Sequence, residues 1–168
     1  LGAVVIESDK VAHQSYELRT KAHELIVSRF GEDVLDDLGF IDRKSLSKIV
    51  FFDPTRRLEL EKIVWPATRK LILALLEKET ERGTRVVVVE VPKLFESGWE
   101  KFVNIVWTVE APQSVIGQRV QRRSGMNQSD TRARIAAQLT RQERAERSDI
   151  VIENGTTLED LRNQISKL

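Results

Sequence analysis

Two acids close an apolar run near the start of the chain: Glu7 and Asp9 follow Ala-Val-Val-Ile at positions 3–6. A run of β-branched residues reads as a buried strand. In open α/β sheets, ligands bind beyond the carboxyl ends of the strands. Alternate residues of a strand share a face, so both carboxylates are expected to point into one crevice. A carboxylate there can accept a proton from a substrate hydroxyl or hold Mg2+ through water. The plainer reading is that Asp9 caps a helix beginning at Lys10.

A third acid, Glu90, ends the most hydrophobic stretch, Arg85-Val-Val-Val-Val-Glu-Val-Pro92. Four successive valines without alternation suggest a strand covered on both faces. An acid at its end is similar in place to the carboxylate that organises Mg2+ in nucleotide-binding sheets. The alternatives are a solvated strand-end acid, or one paired with a neighbouring base.

The third constellation is basic. Arg119 to Arg147 holds arginines at 119, 122, 123, 132, 134, 141, 144 and 147, no lysine and three acids. A planar guanidinium stays charged in any environment and clamps phosphate oxygens bidentately. Two helices around Ser124-Gly125-Met126-Asn127 are expected to form a lid, 119–147, able to close over a polyphosphate. Spacing alone also allows i,i+4 pairs, Asp130 with Arg134 and Glu143 with Arg147, on a solvated face. His13 and His23 read as polar helix residues, and Trp65, Trp99 and Trp107 as packing residues.

The elements that must position these groups are four strands, near 3–7, 85–91, 104–109 and 149–153, separated by helices. A helix is expected from Lys10, and Ala22, Leu25, Ile26 and Phe30 keep helical spacing up to Gly31, a plausible C-cap. Asp36-Asp37-Leu38-Gly39 reads as a turn, and Asp42 caps a short helix through Val50. Asp53-Pro54 starts a helix that should stop or bend before Pro66. Pro66 can open another, ending near Gly83. Helices are expected from Pro112 to about Arg123 and from about Ser129 to Arg147. Asn154-Gly155 turns the last strand, and Thr157 with Asp160 fits a capping box. The pattern predicts a three-layer α/β fold around a parallel sheet, in one domain, 1–168.

At this level the chain resembles the dephospho-CoA kinase family. The likeness rests on VIESDKVAH, IDRKSLSKIVFFDP, VVVVEVPKLFESGW, RVQRRSG with RARIAAQLTRQER, and RSDIVIENGTTLEDL, taken in this order. It implies a P-loop NTPase-like fold, similar to the nucleoside-monophosphate kinases, with a helical lid. It implies ATP-dependent phosphorylation of the ribose 3′-hydroxyl of dephospho-CoA, with ATP as co-substrate and Mg2+ as cofactor. On matching positions, Asp9 is similar to the acid that orients or deprotonates that hydroxyl. Arg119, Arg123 and Arg141 match phosphate-facing arginines, and Glu90 matches the metal-side acid. Asn154 and Gly155 match the loop bordering the adenine, and the helical stretch 10–82 matches the region that receives dephospho-CoA.

The chain departs from the family pattern at several places. Glu7 and Glu90 stand where Asp is usual, Lys93 where leucine is, Trp65 where histidine is common, and Ser124 where an acid is. The phosphate-binding pattern G-x-x-x-x-G-K-[ST] has no match in the sequence. The family carries it, with its first strand, ahead of the stretch like LGAVVIESD. That strand lies between those corresponding to 85–91 and 104–109. An incomplete copy of an ordinary kinase is the favoured expectation, and a catalytically inactive CoA- or nucleotide-binding module is the alternative.

Bulk composition narrows the field further. The chain has 168 residues, 40% hydrophobic and 32% charged, with a net charge of +1 and no cysteine. A near-neutral charge argues against a nucleic-acid partner. The absence of cysteine excludes disulfides and thiolate chemistry, and two histidines argue against zinc. The longest apolar run, Leu71 to Leu76, is too short to span a membrane. These features lead to an expected cytoplasmic location and leave the oligomeric state open.

Overall fold

The computed structural model describes residues 2–124, 135 and 138–168. Strands and helices alternate in the α/β order read from the sequence. The described chain forms two compact units, Leu1–Pro92 and Lys93–Leu168.

In the first unit, β1 (Val4–Glu7) and β2 (Val87–Glu90) pair in parallel. Val4 stands opposite Val87, and Glu7 opposite Glu90. Four helices lie between them in sequence: α1 (Ser8–Ser15), α2 (Lys21–Phe30), α3 (Arg43–Phe51) and α4 (Pro54–Glu81). Local hydrogen bonds set most of their ends. Asp42 accepts from the backbone N–H groups of Lys44 and Ser45, and Asp53 from those of Thr55 and Arg56. Side-chain oxygens thus satisfy amides that have no partner within the helix. Gly31, at φ 89°, ends α2 in a conformation open to glycine. Ile26, Phe30, Val34, Ile41 and Leu46 form the core, joined by Leu60, Ile63 and Val64 of α4. His23 is a structural residue here: its Nε2 donates to the Gly39 carbonyl at 2.8 Å.

Two expectations change in this unit. Asp9 does not cap α1; Glu7 is the cap residue, and Asp9 sits inside the first turn. Between α1 and α2, Arg19 turns the chain at φ 68° and Thr20 caps α2 afresh. The second change is that α4 runs through Pro66 without ending. An internal proline removes one backbone hydrogen bond and costs about 3 kcal/mol. Packing on both sides offsets that cost. Leu60, Ile63 and Val64 join the core before Pro66, while Thr68 and Ile72 are buried after it.

The four valines are also covered less fully than expected. Ile6 is buried, but Val5, Val86 and Val88 remain exposed. Val5 and Val88 are register partners and share a face with Glu7 and Glu90. That face is therefore open at the acids as well.

In the second unit, β3 (Trp107–Glu110) and β4 (Ile150–Glu153) pair in parallel, with Glu110 opposite Glu153. Asp149 fixes the entry to β4 by accepting from the Val106 N–H at 2.7 Å. The helices are α5 (Gln113–Ser124), α6 (Arg141–Glu146) and α7 (Leu158–Ile165). As expected, Thr157 and Asp160 form the capping box of α7. The helix expected over 129–147 is not continuous: Thr140 has extended backbone and starts α6 with its own capping box to Glu143. The Ser-Gly-Met-Asn break lies mostly outside the described residues, as do Asp130, Arg132 and Arg134. The described strands form two separate two-stranded sheets, β1 with β2 and β3 with β4.

Candidate active site

The acids of the first unit gather at the carboxyl ends of its two strands. Glu7 and Glu90 close β1 and β2 as register partners, so their side chains leave the same face. Lys10, three residues after Glu7, donates to its Oε1 at 2.7 Å. Asp9 is the second residue of α1, so strand alternation does not set its direction, contrary to the sequence reading. It lies in the first turn of the helix, where a negative charge is favoured. Asp9 and His13 are four apart and share a face of α1. Burial and the positive charge of Arg43 lower the pKa of His13, and the charge of Asp9 opposes them.

Among the described residues, no group of three or more His, Asp or Glu side chains could hold a metal ion by itself. Mg2+ asks for less. It commonly takes one or two carboxylates and completes its shell with water and substrate phosphates. The in-register pair Glu7 and Glu90 fits that requirement.

The second unit gathers arginines around the end of β4. Arg119 of α5 donates through Nη1 to the Asn154 carbonyl at 2.7 Å. The Asn154 N–H in turn donates to the Glu110 carbonyl at 2.7 Å. Arg141, first residue of α6, pairs with the Glu153 carboxylate. Gly155 lies hard against Pro112: a Cβ there would sit 2.8 Å from Cδ of the ring. Arg123 is exposed in the last turn of α5. One short segment, 153–155, therefore touches two of the arginines singled out in the sequence and forms a tight loop beside them.

The family model described as "Dephospho-CoA kinase" matches residues 1–160. This chain belongs to the dephospho-CoA kinase family. A dephospho-CoA kinase of Symbiobacterium thermophilum is 40% identical over 164 residues, covering 98% of this chain and 69% of that protein. One from Dehalococcoides mccartyi is 37% identical over 171 residues, covering 100% of this chain and 84% of its own. The dephospho-CoA kinase structure from Campylobacter jejuni superposes with a TM-score of 0.70 at 28% identity, covering 99% of this chain and 83% of that one. A crystal structure from Thermus thermophilus gives 0.79 at 33% identity, with coverage of 99% and 83%. The α/β, P-loop NTPase-like fold expected from the sequence is the fold of this family.

Among the described arginines of the stretch 119–147, Arg144 and Arg147 are tied to other residues of the second unit as well. Arg144 makes a two-bond fork to Glu110, Nε to Oε1 at 2.7 Å and Nη2 to Oε2 at 2.8 Å. Its third donor, Nη1, reaches the Leu139 carbonyl. Glu110 is 2% exposed, and its hydrogen bonds, helped by its charge, raise the pKa of the Arg144 guanidinium against the effect of burial. Arg147 bonds Glu100 at 3.0 Å and stacks on Phe95, 4.3 Å from the ring centre. The expected pair of Glu143 with Arg147 gives way to these contacts, since Glu143 is held by Thr140. Sequence reading missed Glu110 and Glu153. The only signal was that each is an acid ending a hydrophobic strand, as Glu7 and Glu90 are.

Proposed function

We propose that this protein transfers the γ-phosphoryl group of ATP to the ribose 3′-hydroxyl of dephospho-CoA, yielding CoA and ADP. The observation that carries the reading is the match of residues 1–160 to the dephospho-CoA kinase family model. In this reading 1–168 is one kinase domain. The helices over 10–82 receive dephospho-CoA, and the stretch 119–147 is the arginine-rich lid.

Asp9 orients the 3′-hydroxyl and takes its proton as the new P–O bond forms in line with the breaking one. Its exposed place in the first turn of α1, two residues after the end of β1, supports that role. Arg119, Arg123 and Arg141 face the phosphates and neutralise the transferring group. The pair of Arg141 with Glu153 is half exposed on both sides. Such pairs contribute about 0–1 kcal/mol, so a polyphosphate displaces Glu153 at small cost. Asn154 and Gly155 border the adenine. Glu90, with Glu7 beside it, would hold Mg2+, which supplies charge neutralisation on the ATP phosphates. A net charge of +1 supports a small-molecule substrate over nucleic acid, and no described helix is long and apolar enough to cross a membrane. The cytoplasm is the proposed location.

The test is direct. The full-length protein is incubated with ATP, Mg2+ and dephospho-CoA, and ADP is followed by a coupled assay. ADP should appear only when dephospho-CoA is present, and the product should carry its new phosphate on the ribose 3′ oxygen by phosphorus NMR. ADP release independent of dephospho-CoA, or a phosphate elsewhere on the product, would overturn the reading.

A further inference from the structure

We infer that Glu110 is a positioning residue for Arg141, acting through Arg144. The inference rests on the reading of Arg141 as a phosphate clamp. Glu110 ends β3, is buried, and spends both carboxylate oxygens on one guanidinium, that of Arg144. Arg144 lies one helical turn after Arg141 on α6, so the two side chains leave the same face of the helix. Glu153, the register partner of Glu110 on β4, meets Arg141. Two neighbouring strand ends therefore take two arginines from one turn of one helix, one partly buried on a buried carboxylate, the other exposed on an exposed one.

The residues before α6 are tied to the same anchor. Arg144 reaches back through Nη1 to the Leu139 carbonyl, and the Leu139 N–H donates to Glu96 at 3.4 Å. Thr140 then caps the helix. A helix of six residues has little stability alone, because few of its backbone bonds are internal. Its orientation must come from a tertiary contact, and a two-bond fork to a buried carboxylate fixes direction as well as distance. The Glu110 carbonyl also holds the Asn154 N–H, so one residue sets both the helix carrying Arg141 and the loop beside it. Catalytic groups act only within a narrow range of geometry, and that places Glu110 in control of phosphoryl transfer without touching a substrate.

The experiment is a double-mutant cycle in the full-length enzyme, reading kcat, the KM for dephospho-CoA and the melting temperature. Glu110→Gln, which removes the charge and one acceptor, should lower kcat at least tenfold with the KM for dephospho-CoA little changed. In an Arg141→Ala background the same change should cause no further loss. Arg144→Lys, which keeps the charge but not the fork, should reproduce the kcat effect in milder form. It carries the test if Glu110→Gln does not fold. Unchanged kcat in both variants, or an equal loss with and without Arg141, would overturn the proposal. Unchanged kcat in Arg141→Ala alone would instead refute the clamp reading on which it rests.

Discussion

Glu7 and Glu90 are register partners at the carboxyl ends of two parallel strands, on a face that stays open. Like charges placed opposite each other in a sheet repel, and Glu7 has a basic partner near, Lys10. A cation between them would remove the repulsion. Glu7→Gln and Glu90→Gln should each raise the Mg2+ concentration needed for half-maximal activity, and the double change should raise it further. A Mg2+ titration of initial rates checks this. Activation curves that coincide with the unmutated enzyme would remove both residues from the metal.

Asp9→Asn keeps the size of the side chain and its place in the first turn of α1, but not its ability to take a proton. Turnover should fall by roughly a hundredfold to ten-thousandfold, the usual contribution of a general base. The KM for ATP should barely move. Steady-state kinetics with both substrates decide the matter, and unchanged turnover would exclude the role.

Gly155→Ala places a Cβ 2.8 Å from Cδ and 3.3 Å from Cγ of Pro112, a ring that cannot turn aside. The loop after β4 must shift, at a cost of about 1–3 kcal/mol typical of overpacking. The melting temperature should drop and the KM for ATP should rise, with the KM for dephospho-CoA less affected. A fall in stability with both KM values intact would separate Gly155 from the nucleotide.

Acid sensitivity has a local origin. The Ser45 hydroxyl, then the Lys44 and Ser45 amides, hold the Asp42 carboxyl below its ordinary value of 3.8. The Thr157 hydroxyl and amide lower Asp160 in the same way. Each is more acidic folded than unfolded, so the unfolded chain binds protons first as pH falls. Their stabilisation is complete above the ordinary aspartate value and is lost as pH drops through the lower folded value. Thermal melts from neutral pH to pH 3 should show a steady decline. In Asp42→Asn with Asp160→Asn the decline should be shallower. Parallel curves would mean that the caps do not govern it.

Much of the framework was readable because it is local. Asp42, Asp53, Thr157 and Gly31 act on amides and carbonyls within a few positions along the chain, and the structure has them where the sequence placed them. The four strands were legible from their β-branched runs. What failed depended on packing at a distance. Nothing near Pro66 announces that α4 continues, because the reason is the core on one side of it and buried Thr68 and Ile72 on the other. Nothing near Arg144 announces Glu110, which lies 34 positions away.

The sequence by itself determined the element types, most helix caps, and the family, since ordered motifs along the whole chain are properties of the chain. Tertiary structure decided which acids and arginines stand together. Register pairs Glu7 with Glu90 and Glu110 with Glu153, and strand pairing is a relation between segments far apart in the chain. It also sorted the arginines: burial of Glu110 demanded a fixed cation and took Arg144, while Arg141 pairs with a half-exposed carboxylate, which is what leaves it free for the proposed phosphate role. A guanidinium has the same chemistry at every position. Only its surroundings decide whether it holds the fold or the substrate.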